Sequence, residues 1–448
     1  MQQVRELVYF AYHRALRHGL PSVYGRIAAE DAARYTPAEV YRRQDEALTR
    51  LIQHCRDTVP FYRDRIASAG VPEADPREYL RGLPLLTKAD LRHDGAELVT
   101  SVPRRGINRV SSGGSTGEPV SFVQDQQHWD WSAAVQMLHT SWTGHRIGGS
   151  EVYVWGSERD LLTGTVGVRM AAVNALMRRS YLNAFRMTAD DMRGLLRRLD
   201  ERPPDIIVAY AQSLYEVARF ASEEGIAVRP QRAVIVTSET LHGFMRDAIE
   251  STFGCRVFNR YGSREVGDIA GECPSHEGLH VFPWTNYVEI VDERGEPVPP
   301  GVDGEVVVTC LTNFAMPLVR YRIGDRAALA PDGVCSCGRA GQRLLRVLGH
   351  SGETFKSSDG ALIDGGYLTG MMYLREWVER FQVVQHDYDV LEFRIVPRAG
   401  TKPPERELSE ITGKVRRAMG ERCDVRFAFV DDIPPLPSGK FTYTISHV

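Results

Sequence analysis

The sequence predicts an α/β protein, a large layered unit followed by a small α+β unit, and three observations predict it. Between about residues 105 and 265, short apolar runs at Val152 to Trp155, Ile206 to Tyr210 and Val234 to Thr237 read as buried strands, and the last two lead directly into helix candidates. From about 280 to 330 the pattern is all β. In the last hundred residues a helical period gives way to strict alternation.

Residues 1–100 read as mostly helical, with periodic apolar positions from Val40 to Ile52 and a turn near Pro84. In the β region, Tyr287 to Asp292 and Glu305 to Leu311 flank ERGEPVPPGVDG, a stretch rich in turn formers, and predict a hairpin or meander forming a separate subdomain. Near the end, Leu408, Ile411, Val415 and Met419 recur at helical spacing. Val425, Phe427 and Phe429 then alternate as a strand does, before a Pro-rich loop, IPPLPSGK. A boundary near Gly349–Gly352 divides the chain into 1–348 and 349–448.

The 448 residues exceed one ordinary core. With 43% hydrophobic and 25% charged residues the composition is globular, and a net charge of −3 offers no basic excess for nucleic acid. The apolar patch from Leu7 to Tyr12 is broken by His13, Arg14 and Arg17, too early for a membrane span, and lacks the order of a secretory signal. It reads as an amphipathic surface helix. No membrane partner and a cytoplasmic location are expected.

Ser111, Ser112, Gly113, Gly114, Ser115, Thr116 and Gly117 form a loop of small residues whose backbone N–H groups can approach anionic oxygens, with hydroxyls adding donors. It is neither a Walker loop, which needs a lysine after its second glycine, nor the dinucleotide G-x-G-x-x-G. Three further segments follow in order: Tyr261-Gly262-Ser263-Arg264-Glu265, Tyr321-Arg322-Ile323-Gly324-Asp325 and Pro437-Ser438-Gly439-Lys440. Together with the loop they resemble the core motifs of the adenylate-forming superfamily. PFYRDRI at 60–66, LPLLTKADL at 83–91 and GLHV at 278–281 resemble its phenylacetate–CoA ligase branch, with the capsular-polysaccharide and coenzyme F390 synthetase-like members.

The resemblance implies a large N-terminal adenylate-forming domain and a small mobile C-terminal cap. It implies that Ser111 to Gly117 wrap the triphosphate of ATP, that Ser238 and Glu239 lie against the adenine, and that Tyr261 stacks on it within the Tyr261–Gly262–Ser263 segment. It further implies that Glu265 helps hold Mg²⁺, Asp325 binds the ribose, and Lys440 reaches in from the cap. The chemistry is consistent: a carboxylate attacking the α-phosphorus is an anion attacking an anion, and a cation and a lysine lower that repulsion.

Some positions depart from the family pattern. Glu118 stands where the phosphate loop often has lysine, and is expected to point away. His350 stands where a hinge arginine contacts ribose, so ribose binding there is weaker or is shared with a neighbour such as Arg346. Trp284-Thr285-Asn286 replaces a Trp-Glu-Asp run. These changes leave the first half-reaction intact and bear on the acceptor.

Cys273, His276 and His280 lie close in sequence, and Cys335-Ser336-Cys337 follows about sixty residues later. Three thiolates and one imidazole suit tetrahedral Zn²⁺ in a closed structural site. His276 has the more familiar spacing from Cys273; relatives in the resembled branch favour His280. Cys55, Cys255, Cys310 and Cys423 read as ordinary buried residues. Three functions compete: an acid–CoA ligase that forms acyl-AMP and passes the acyl group to CoA, an amide ligase using an amine or amino acid, and a non-catalytic nucleotide-binding protein. Tyr153, Trp155, Tyr210 and Trp284 are candidate pocket aromatics for an aromatic or cyclic acid.

Overall fold

The computed structural model describes residues 2–68, 75–111, 120–155, 168–184, 187, 189–350, 354–358, 362–373, 375–434 and 441–448. They form two compact units, Met1–Val347 and Leu348–Val448.

The first unit opens with six helices: α1 (Gln2–Ala15), α2 (Leu20–Ala33), α3 (Pro37–Thr58), α4 (Pro60–Ser68), α5 (Pro76–Arg81) and α6 (Lys88–His93). Helix α3 begins at a capping box in which Thr36 Oγ1 accepts the Glu39 N–H and Glu39 accepts the Thr36 N–H at 2.8 Å, with Pro37 at the first helical position. It buries Leu48, Leu51, Ile52 and Cys55. The TKAD segment does the same for α6: Asp90 Oδ2 accepts the Thr87 N–H at 2.6 Å. Part of the LPLLTKADL resemblance is therefore a helix start.

A hairpin of β1 (Asn108–Ser111) and β2 (Ser121–Gln124) precedes α7 (Gln126–Trp142). The strands β3 (Glu151–Trp155), β4 (Arg179–Asn183), β5 (Ile206–Tyr210), β6 (Val234–Thr237) and β7 (Val257–Ser263) are parallel, in the order β4-β3-β5-β6-β7. Strands β5 and β6 are buried along their whole length, as covering on both faces requires. Helices Ala189–Glu201, Ala211–Glu223 and Gly243–Phe253 pack on one face through residues such as Leu196, Leu214 and Phe253. Tyr153, Trp155, Val208 and Ile235 share the other.

The sheet then turns antiparallel through β8 (Gly267–Glu272), β9 (Leu279–Val281), β10 (Asn286–Val291), β11 (Gly304–Cys310), β12 (Tyr321–Leu329) and β13 (Arg343–His350). The meander around ERGEPVPPGVDG forms as expected, with Asn286 opposite Cys310, but not as a sheet of its own. Strands β9 and β13 join it to β8, so one sheet has the order β10-β11-β12-β13-β9-β8-β7-β6-β5-β3-β4. Its antiparallel end packs on α3 to α6 in a separate core. Arg320, buried at the start of β12, pairs with Glu289 and donates to the Arg81, Leu83 and Gly295 carbonyls at 2.7–3.0 Å, fixing β12 against the loop before α6.

In the second unit, β14 (Thr354–Lys356) pairs with β15 (Leu362–Asp364), and helix Gly365–Tyr373 follows. A four-stranded sheet of β16 (Val378–Asp387), β17 (Val390–Pro397), β18 (Asp424–Phe429) and β19 (Thr444–Ser446) has the order β18-β17-β16-β19. Helix Glu405–Met419 buries Ile411, Val415 and Met419, with acidic residues in its first turn and Arg416 and Arg417 in its last, as its dipole favours. Among the described residues no helix is long and apolar enough to cross a membrane.

Candidate functional site

In an open α/β sheet ligands bind beyond the carboxyl ends of the strands. At the end of β6, Ser238 holds a positive φ of 73°, a conformation costly for a residue with a Cβ and one that gathers at functional sites. Glu239 turns its carboxylate onto the first turn of helix Ala211–Glu223, accepting the Gln212 N–H at 2.9 Å. At the end of β7, Tyr261 Oη donates to Asp325 Oδ2 on β12 at 2.6 Å. Burial, then the Asp325 charge and this bond, push the Tyr261 phenol well above its ordinary value. Two residues from separate motifs, implied to bind adenine and ribose, thus meet side chain to side chain.

Gly262 is dictated by space. A Cβ there would stand 2.7 Å from the Gly267 carbonyl oxygen and 2.8 Å from Asp268 Cα, where the β7–β8 ladder shifts register. Just beyond, Glu265 is buried at 6% exposure. Tyr321 is wholly buried, and its Oη, like Ser263 Oγ, has no hydrogen-bond partner among the described residues. Burial, then the charges of Glu265 and Asp325, push the Tyr321 phenol up. Buried carboxylate charge beside unpartnered hydroxyls fits a site that takes a cation and a polar ligand.

Ser111 ends β1, and the loop Ser112 to Gly117, with Glu118, lies outside the described residues, as does Lys440. His350 ends the β13 backbone. Arg346 is held by Asp303 at 2.7 Å and by the Gly301 carbonyl at 3.0 Å, so it is engaged away from a ribose role. Of the pocket aromatics, Trp155 and Tyr210 end the adjacent strands β3 and β5 with ring centroids 4.5 Å apart. Tyr153 is spent on Glu151, to which its Oη donates at 2.9 Å. Trp284 donates to Glu30 at 2.7 Å and packs in a different core, so it does not join them.

Three residues around this loop carry no motif. Gln124, at the end of the hairpin that flanks the glycine-rich loop, donates through Nε2 to the Arg264 carbonyl at 2.9 Å. The same Nε2 lies 3.1 Å from His128 Nε2, so that ring nitrogen accepts and Nδ1–H donates to Thr312 Oγ1 at 3.1 Å. Asp125 caps α7 by accepting the His128 N–H at 2.8 Å. The chain Thr312–His128–Gln124 therefore fixes the carbonyl next to Glu265. Single polar residues at irregular spacing gave no sequence signal.

A second cluster lies elsewhere in the same unit. The ligand atoms of Cys273, His280, Cys335 and Cys337 all lie within 4.8 Å of one another. Cys273 follows β8, His280 sits on β9, and the other two occupy the β12–β13 loop. Gly278 precedes β9 with a φ of 100°, and a Cβ there would stand 2.4 Å from the Leu344 carbonyl oxygen. Cys273 and Cys335 Sγ are 3.7 Å apart, and Cys337 Sγ is 3.5 Å from His280 Nε2. A tetrahedral ion with ~2.3 Å bonds to sulfur has ligand edges of about 3.8 Å, whereas a disulfide needs about 2.05 Å. Burial pushes Cys337 up, but hydrogen bonds to His280 and the Arg339 backbone outweigh it and bring the thiol down to about 5; burial pushes Cys273 up to about 12. His276 stands apart, 3.4 Å from Glu272 and against the Phe258 ring. Arg339 anchors the Cys-x-Cys turn: it forks onto Asp31 at 2.7 and 2.8 Å and lies 4.0 Å over the Trp142 ring.

Residues 355–447 match the CapK C-terminal domain family. Protein CapK of Staphylococcus aureus is 22% identical over 82% of this chain and 80% of its own length. Phenylacetate-coenzyme A ligase of Thermus thermophilus is 30% identical over 69% of this chain and 70% of its own length. The enzyme of that name from Escherichia coli K12 is 27% identical over 79% of each. A solved structure of 2-hydroxyisobutyryl-CoA ligase, in the postadenylation state with R3-HIB-AMP, superposes with a TM-score of 0.68 at 20% identity, covering 90% of this chain and 88% of that one, which is a likeness of fold.

Proposed function

The chain belongs to the phenylacetate–coenzyme A ligase family, and from that premise we propose that it activates a carboxylic acid with ATP as the acyl adenylate, releases pyrophosphate and passes the acyl group to CoA. The observation that carries the reading is the Tyr261–Asp325 bond at the carboxyl end of the sheet, because it joins two motifs whose implied ligands are the base and ribose of one nucleotide.

In this reading the carboxylate oxygen of the acid attacks the α-phosphorus of ATP, the bond to the bridging oxygen breaks, and pyrophosphate leaves. Tyr261 lies on the adenine and Asp325 accepts from the ribose hydroxyls. The backbone after Ser238 lines the base. Ser111 to Gly117 wrap the phosphates. Mg²⁺ would supply positive charge against the phosphates, held in part by Glu265, whose burial without an ion-pair partner among the described residues supports that assignment. Lys440 adds charge at the α-phosphate. Trp155 and Tyr210 support an aromatic or cyclic acid. Zn²⁺ bound by Cys273, His280, Cys335 and Cys337 would be structural, since four protein ligands leave no open position. Seven free cysteines support a reducing, cytoplasmic setting.

The test is exchange of labelled pyrophosphate into ATP over a panel of aromatic, cyclic and short aliphatic acids, followed by mass spectrometry of products with CoA and with amino acids. Acid-dependent exchange and a CoA thioester are expected. Silence across the panel, or an amide in place of the thioester, would defeat the reading. Gln124→Leu tests the positioning chain: without the donor, the Arg264 carbonyl and Glu265 drift. Exchange should fall about 10–100-fold with little change in thermal midpoint.

A further inference from the structure

Helix α1 packs on its unit through Tyr9 and Phe10, which join a hydrophobic core, with polar residues beside them. Tyr9 and His13 are buried, Gln2 donates to the Arg146 carbonyl at 3.0 Å, and Arg5 lies against Gly148. The residues it turns outward are Gln3, Val4, Leu7, Val8, Ala11, Arg14 and Ala15. Val4, Leu7 and Val8 are 60%, 65% and 47% exposed. At helical spacing these three and the two alanines fill an arc of about 100°, the width of a stripe that ordinarily faces a core. Here it faces out, on the side away from Tyr9 and Phe10, and is more apolar surface than a helix serving only its own fold exposes.

The charges around the stripe say what covers it. No acidic side chain lies on the exposed face. Arg14 borders it on one side, Arg5 and Tyr12 on the other, and the exposed Arg17 follows the helix. Residues 2–17 hold three arginines against one glutamate, in a chain whose net charge is −3. An apolar crest with a cationic rim is the arrangement of a helix lying in the headgroup layer of an anionic membrane. A second copy fits worse. Two such faces brought together about a two-fold axis would bury Arg14 and Arg17 with no exposed carboxylate to meet them.

We propose that α1 is a peripheral membrane-docking helix that lays Val4, Leu7 and Val8 into an anionic bilayer surface. This revises the sequence expectation of no membrane partner, which rested on the lack of a span. A helix that lies on a surface needs no span. The proposal is independent of the ligase reading.

The experiment is co-sedimentation of the full chain with vesicles of phosphatidylcholine alone or with ~30 mol% phosphatidylserine, at low and high salt. The chain should pellet with anionic vesicles several-fold more than with neutral ones, and be released by salt. Leu7→Glu should cut binding at least about tenfold with an unchanged thermal midpoint, because Leu7 is exposed, and Arg14→Glu should remove the preference for anionic lipid. No binding at low salt, or binding indifferent to Leu7→Glu, would overturn the proposal. So would a dimer that Leu7→Glu dissociates in a chain that ignores vesicles, which would assign the face to a second copy.

Discussion

Lys440→Ala should lower acid-dependent pyrophosphate exchange by about 10²–10³-fold, while circular dichroism and thermal unfolding stay unchanged. The size follows from the chemistry. As the acid's oxygen approaches the α-phosphorus, negative charge gathers on oxygens that are already anionic. One preorganised donor aimed at such a centre is worth about 3–4 kcal/mol. The lysine is asked to act only while that charge develops. The variant should therefore still convert a supplied acyl adenylate and CoA to the thioester at near the parent rate. That half-reaction is the control. Equal loss in both steps would mean that the substitution damaged the nucleotide site as a whole. Unchanged exchange would remove Lys440 from the mechanism.

What could be read from the sequence follows a physical division. Buried parallel strands announce themselves as continuous β-branched runs, so β5 and β6 were visible at Ile206 to Tyr210 and Val234 to Thr237. Gly262 was visible only as a member of the Tyr261–Gly262–Ser263 motif; that a Cβ there would meet the Gly267 carbonyl and Asp268 is seen only in the fold. Pairing partners were not visible. Alternation marks 287–292 and 305–311 as strands but does not say which neighbours they join, and β9 and β13 draw them into the main sheet. The support of the site was invisible for a different reason. Gln124, His128 and Thr312 are joined by a fold that brings His128 and Thr312, 184 positions apart, into contact, and nothing in their spacing separates them from surface polar residues. Helix α1 illustrates a third limit. Its apolar patch marked an amphipathic helix, but did not say which apolar residues meet the core, and here Tyr9 and Phe10 face in while Val4, Leu7 and Val8 face out.

Removing the zinc proposed for the cysteine cluster should cost the first unit stability before it costs chemistry. The purified chain is expected to carry about one zinc by elemental analysis. Cys335→Ser should lose that ion and lower stability by at least about 4 kcal/mol, the range reached when a metal site is lost. For a unit of this size that is a fall in thermal midpoint of about 5–10 °C. The reason lies in what the cluster ties together. Cys273 follows β8, His280 is on β9, and Cys335 and Cys337 belong to a turn whose Arg339 reaches α2 through Asp31 and α7 through Trp142. Without a cation, thiolates brought within 4.8 Å of one another and of an imidazole repel or must stay protonated. The turn then has no reason to keep Arg339 on Asp31. Tyr261 and Asp325 hold each other by a hydrogen bond that involves none of the four cluster residues, so exchange measured well below the new midpoint should stay within about threefold of the parent. A zinc-free chain with an unchanged midpoint would reduce the cluster to packed thiols. A stable zinc-free chain that had lost exchange would place the metal in the chemistry, against the closed geometry of its four ligands.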